Sequence, residues 1–138
     1  MPKGEQNLQT IFRWCLGLEA HFPKPNTVYL ALYRTNPALG NTAVEVDYQG
    51  YMRQPISFGS VELGYHYAEI KNSAVIQFPV IPVDSGVMAY AAITTSQIPM
   101  EPTNENFLYH LQLPSVYDLL AGNQPTVLIG SLIIREDA

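Results

Sequence analysis

The sequence predicts a mainly β protein: a single antiparallel β-sandwich, jelly-roll-like, with one N-terminal amphipathic helix. Three observations lead there. Only Glu5 to Glu19 shows a helical apolar period. The rest holds about eight short alternating or apolar runs at a spacing of roughly 8–12 residues. The 9 glycines and 11 prolines punctuate these runs, and no regular strand–helix alternation signals a doubly wound sheet.

The helix is expected over residues 5–19. Leu8, Ile11, Phe12, Cys15 and Leu16 recur at three- and four-residue steps and share one face. Gln6, Gln9 and Arg13 fall on the polar side. Gly17 weakens the last turn, and Pro23 and Pro25 forbid continuation. The β-sandwich is expected over 27–134, and the domain over 1–138. Thr27 to Tyr33 alternates Val28, Leu30 and Leu32 against Tyr29, Ala31 and Tyr33, a strand buried on at least one side. Asn36-Pro37 and Gly40-Asn41 mark turns, and Val44 to Asp47 is a short strand. Tyr51 to Phe58 reads as extended, with Pro55 pointing to an edge or a bulge. Tyr65 to Ile70, Ala74 to Phe78 and Val87 to Thr94 follow as strands. Phe107 to Leu113 alternates again. Tyr117 to Ala121 reads as one helical turn, and Thr126 to Ile134 as a final strand with a kink at Gly130.

Composition narrows the function. The 138 residues are 47% hydrophobic and 14% charged, too apolar for a disordered chain. A chain of that length buries roughly 68–70% of its unfolded surface, enough for a core. The 7 Lys and Arg against 12 Asp and Glu give a net charge of −5, which argues against a nucleic-acid partner. The single cysteine excludes an internal disulfide and a four-cysteine zinc site. The polar start, Met1 to Asn7, does not read as a secretory leader. The longest apolar run, Val87 to Ile93, falls far short of the ~20 residues of a spanning helix, so no membrane insertion is expected.

The search for chemistry returns little. Cys15 has His21 nearby in sequence, but it sits on the apolar helix face, where a cysteine is usually a small core residue. No nucleophile elbow and no glycine-rich phosphate loop is present. His21, His66 and His110 are scattered. A hairpin bringing His66 to Glu62 and Glu69 is the one route to a metal site, and an exposed polar strand face explains the same residues more simply. Glu45 and Asp47 share a strand face. They suit a carboxylate pair or Ca²⁺, but a solvated face that discourages edge pairing is the favoured reading. Arg53, between Tyr51 and Gln54, is expected to pair with a carboxylate, within the fold rather than across subunits. No cofactor, no metal and no enzymatic activity are expected.

The 9 tyrosines are the one excess. Tyr48, Tyr51, Tyr65 and Tyr67 cluster with His66 and form the candidate interaction surface. A flat apolar ring with a hydroxyl suits cross-strand packing, a protein interface and, third, a glycan.

A longer pattern runs through the chain. Thr27 to Pro37 (TVYLALYRTNP) follows the helix. Gly50 to Phe58 (GYMRQPISF) comes next, then Asn72 to Pro79 (NSAVIQFP), then Phe107 to His110 (FLYH) and Thr126 to Ile134. The order resembles a family of small bacteriophage and prophage tail-fibre-type structural proteins. That family often has a tryptophan-glycine where this chain has Val83-Asp84-Ser85-Gly86. The resemblance implies a structural or assembly protein of a phage or prophage particle, associated with the tail or tail fibre. It implies action through protein contacts, as a homo-oligomer among other virion or tail proteins, and assembly in the bacterial host cytoplasm. It carries no catalytic residue. The alternative is a carbohydrate-binding β-sandwich module.

Overall fold

The computed structural model describes residues 27–38, 43–98 and 107–137, and within them the chain is mainly antiparallel β. No helix occurs among the described residues. The helix expected at 5–19 lies outside them. Among the described residues nine strands run in order: β1 Tyr29–Tyr33, β2 Gln54–Pro55, β3 Glu62–Gly64, β4 Tyr67–Lys71, β5 Ile76–Gln77, β6 Val87–Thr94, β7 Phe107–Asp118, β8 Thr126–Val127 and β9 Ile133–Asp137. They form a four-stranded sheet ordered β2-β1-β6-β7, a three-stranded sheet β3-β4-β9 and a pair β5-β8.

The alternation in β1 sets the packing. Leu30 and Leu32 lie opposite Ile93 and Ala91 and enter the main hydrophobic cluster. Ala31 and Tyr33 lie opposite Ala92 and Tyr90 and enter a second cluster with Phe107 on the other face. Two buried faces explain why β6 reads as a continuous apolar run rather than an alternating one. The main cluster draws on all three sheets: Ile70 and Ile134 from β4 and β9, Ile76 and Val127 from β5 and β8, with Phe78, Ile81 and Leu119 between them.

The neighbour of β1 changes partway along its edge. Tyr29 and Leu30 face Pro55 and Gln54. Past that point Val46 N–H donates to the Leu32 carbonyl and Arg34 N–H to that of Val44. Val44 to Asp47 therefore contributes a single bridge, Glu45 to Tyr33, rather than the short strand expected. Pro55 sits on the edge strand β2, as the missing N–H requires.

Two further expectations are corrected. Tyr117 to Ala121 is not a helical turn. Tyr117 and Asp118 complete β7, and Leu119 continues the pairing by exchanging backbone hydrogen bonds with Gly86 and Ser85. The pattern misled because Leu119 and Leu120 are consecutive leucines of which only Leu119 is buried. Thr126 to Ile134 is not one strand but β8 and β9 with a turn between. Buried Asn72 holds that turn: its amide donates to the Leu128 carbonyl at 3.0 Å, and its side-chain oxygen accepts the Leu132 N–H at 2.9 Å. Gly130 supplies the positive φ of 78° that the turn needs.

Candidate functional site

The structure divides the tyrosine cluster in two. Tyr48 and Tyr51 belong to the interior. Tyr48 is 5% exposed, and its hydroxyl donates to the Pro79 carbonyl. Tyr51 stacks parallel to Phe78 with ring centres 6.0 Å apart. Its hydroxyl accepts the Leu32 N–H at 2.9 Å and donates to Glu45 Oε2 at 2.7 Å. Burial, and then the Glu45 charge, push this phenol well above its ordinary ionisation range.

Arg53 completes the same network. It is 2% exposed. Nε and Nη2 grip the two Glu45 oxygens at 2.9 and 2.8 Å, and Nη1 donates to the Ser96 carbonyl at 3.0 Å, just past β6. The expected intramolecular carboxylate partner is thus Glu45. The reading of Glu45 and Asp47 as a shared solvated face is corrected. Glu45 is drawn inward by Arg53 and Tyr51, while Asp47 stays exposed and pairs with Arg34 at 2.8 Å. A fork of donors on a largely buried carboxylate fixes its geometry.

Tyr65, His66 and Tyr67 lie on the β3–β4 hairpin. Tyr65 and His66 form its two-residue turn, with His66 at φ 61°. Tyr65 is 87% exposed and Leu63 is 84% exposed. Tyr67 lies closer in. Its ring covers Gly64, where an added Cβ would meet the ring 2.0 Å away. The Arg135 guanidinium sits 4.0 Å above the same ring. Arg135 also donates two hydrogen bonds to Glu69 Oε2, at 3.1 and 2.7 Å, and Lys71 approaches the other oxygen at 3.5 Å. These hydrogen bonds hold the Glu69 carboxyl below its usual range. The other face of this sheet carries Leu63 and Ala68 in line with Ile70 and Ile134, toward the main core. Leu63 lies on the inward face but beyond the cover of the core.

The hairpin that was to bring His66, Glu62 and Glu69 together does form, yet Glu69 is engaged by two cations. Among the described residues no group of three or more His, Cys, Asp or Glu side chains is placed to hold a metal ion. No helix among them is long and apolar enough to cross a membrane. His110 lies on the face of the second cluster, opposite Ala92 and edge-on to Phe107 at 5.2 Å. Both its ring nitrogens are buried without a hydrogen-bond partner.

Sequence reasoning missed the β3 strand and the Gly64–Tyr67–Arg135 stack. The signal for the first was Gly64 followed by two residues and a β-rich run; nothing in the sequence placed Arg135 over Tyr67.

These side chains build a β-rich structural body in which Arg53, Glu45, Glu69 and Arg135 are engaged in pairs that hold strands together. The family model of the podophage GP4 fiber I protein gp80 matches residues 8–135. The chain belongs to that phage fibre family. No curated protein is similar enough to count as a match.

Proposed function

We propose that the chain is a structural component of a phage or prophage particle, associated with its tail or tail fibre. In this reading it works through protein–protein contacts, assembles as a homo-oligomer in the host cytoplasm and carries no enzymatic activity. The four- and three-stranded sheets are read as the two layers of a jelly-roll-like sandwich. The observation that carries the reading is membership of the fibre family over residues 8–135. The engagement of Arg53, Glu45 and Glu69 in internal pairs supports it, and so does the net charge of −5, which disfavours a phosphate-backbone partner.

The test is quantitative protein analysis of purified particles whose genome encodes the chain, with light scattering of the isolated protein. The chain is expected at a fixed copy number in the tail fraction, and in solution at a multiple of the protomer mass. Its absence from the particles would overturn the reading, and a strict monomer at high concentration would remove the homo-oligomer.

One observation favours a second reading, a carbohydrate-binding module: Tyr65 presents a bare ring at the hairpin tip beside His66, with ring centres 3.9 Å apart. Glycan-array binding abolished by Tyr65→Ala would support it.

A further inference from the structure

The main core is not closed on every side. A cleft of about 640 Å³ opens between the end of β7 and the segment that carries β8. Its floor is the core itself, including Leu30, Phe78 and Ile81. One wall is β7, with Leu113 and Tyr117; the other includes Leu128, which is 64% exposed. The floor is aliphatic and aromatic, and an apolar gap of this size in a core is ordinarily filled.

β7 is also an edge. At 12 residues it is the longest strand, and β6 is its only neighbour among the described residues. Its other flank has no strand beside it among the described residues, and an unpaired edge is the usual template for an incoming strand. Natural edges are commonly blunted with charged side chains. Phe107 to Tyr117 carries no Lys, Arg, Asp or Glu. The blunting devices are Pro114 and a bulge, where residues 113–116 face Ala89 alone. A ladder on this flank therefore runs along 107–113 and is broken at Pro114, beside the cleft.

Charge is one-sided here. Asp118 is the only charged residue among the described residues that line the cleft, and it is exposed. Three residues beyond Asp118, the Ala121 N–H donates to Asp84 Oδ1 at 2.9 Å.

The geometry points to a strand-acceptor site for another protein of the same particle. The occupant is an extended segment with alternating apolar residues. It pairs with β7 along 107–113, sets its apolar end into the cleft and places a Lys or Arg beside Asp118. Backbone pairing supplies affinity, and the cleft and Asp118 supply register and choice of partner. Tyr117, Asn123, Gln124, Thr126 and Ser131 also line the cleft, so a peptide is favoured over a sugar on the uncharged edge of β7 running into an apolar floor. The inference rests on the particle role proposed above.

The test is an array of overlapping peptides covering every protein of that particle, probed with the full chain. Peptides of the stated pattern should bind. Leu128→Asp and Asp118→Lys, both at exposed positions that leave the core intact, should each weaken binding at least tenfold with an unchanged circular dichroism spectrum. Substituting Asp for the peptide's Lys or Arg should do the same in the native protein. No binding peptide, or binding indifferent to both variants, overturns the inference. So does a soluble glycan that shifts the amide resonances lining the cleft, or self-association that occupies β7. Presence of the chain in the particle together with no binding peptide sinks the strand-acceptor site alone; absence from the particle sinks the particle role.

Discussion

The hydroxyl of Tyr51 stands where a strand is missing beside Leu32. Next to Leu30 the neighbour of β1 is Gln54, and beyond Leu32 it is Val44 to Val46. At the change, the Leu32 N–H has no backbone acceptor and donates to Tyr51 Oη at 2.9 Å. Leu32 is 4% exposed, so water is no substitute. Tyr51→Phe should keep the ring stacked on Phe78 and lose about 1–3 kcal/mol, the cost of a buried donor left unmet. Denaturant unfolding measures it; a loss within error of zero would show that the neighbouring strands close the gap.

Arg53→Ala strands Glu45 with an interior charge. Removing one member of a buried pair costs about 3–5 kcal/mol. Arg53→Lys keeps the charge without the fork and should lose less, though more than an exposed ion pair is worth. The double variant Glu45→Ala/Arg53→Ala should be less destabilised than the sum of the singles, because the penalty of an orphaned charge appears in each single and not in the double. Strict additivity would mean the two residues do not act as a pair.

Gly64→Ala drives a methyl group into the Tyr67 ring. Overpacking of this kind costs about 1–3 kcal/mol. Tyr67→Ala alone uncovers Gly64 and removes the ring beneath Arg135. In Gly64→Ala/Tyr67→Ala the clash has gone, so the double should be more stable than additivity predicts. Amide exchange along β3 and β4 locates the effect: Gly64→Ala should speed exchange there and leave β1 and β6 protected.

Stability should fall at both ends of the pH scale, from separate groups. Burial lowers the His110 pKa below its ordinary value. The unfolded chain then binds more protons, so stability is full above about pH 6.5 and declines as pH falls below it. His110→Phe should flatten that decline in thermal unfolding curves taken from pH 7.5 down to pH 5. A second acid loss comes lower, below the ordinary Glu range, as the Glu69 carboxylate held by Arg135 is protonated. At the alkaline end burial raises the Tyr48, Tyr51 and Tyr109 phenols. The unfolded state sheds those protons first, so stability drops as pH climbs past about 10. Ultraviolet titration should show a tyrosine phase that coincides with unfolding and shrinks in Tyr51→Phe.

The sequence carried the strand of Val87 to Thr94 to the residue, and the two faces of β1, because apolar spacing is a local quantity. It narrowed Pro55 to an edge or a bulge because a missing N–H has only a few acceptable places, and the structure gives the edge. It did not carry the fate of the tyrosines. Tyr48 and Tyr65 are equivalent by spacing, yet one meets the Pro79 carbonyl and the other meets solvent. That difference comes from chain crossings tens of residues apart. Glu45 was misread for the same reason: its charge suggested water, and the two residues that draw it inward, Tyr51 and Arg53, are far enough along to arrive from a different run. Asn72 reads as a strand terminator in sequence; its grip on Leu128 and Leu132 spans about 60 positions.

The two flanks of the four-stranded sheet are unlike. On one, β2 pairs over two residues and ends its ladder at Pro55; on the other, β7 runs for twelve. A subunit that can recruit on one side only has a valence of one there. A complex joined that way ends after one added segment instead of growing into an endless filament, so the unequal flanks make a counted stoichiometry possible without any separate stop signal.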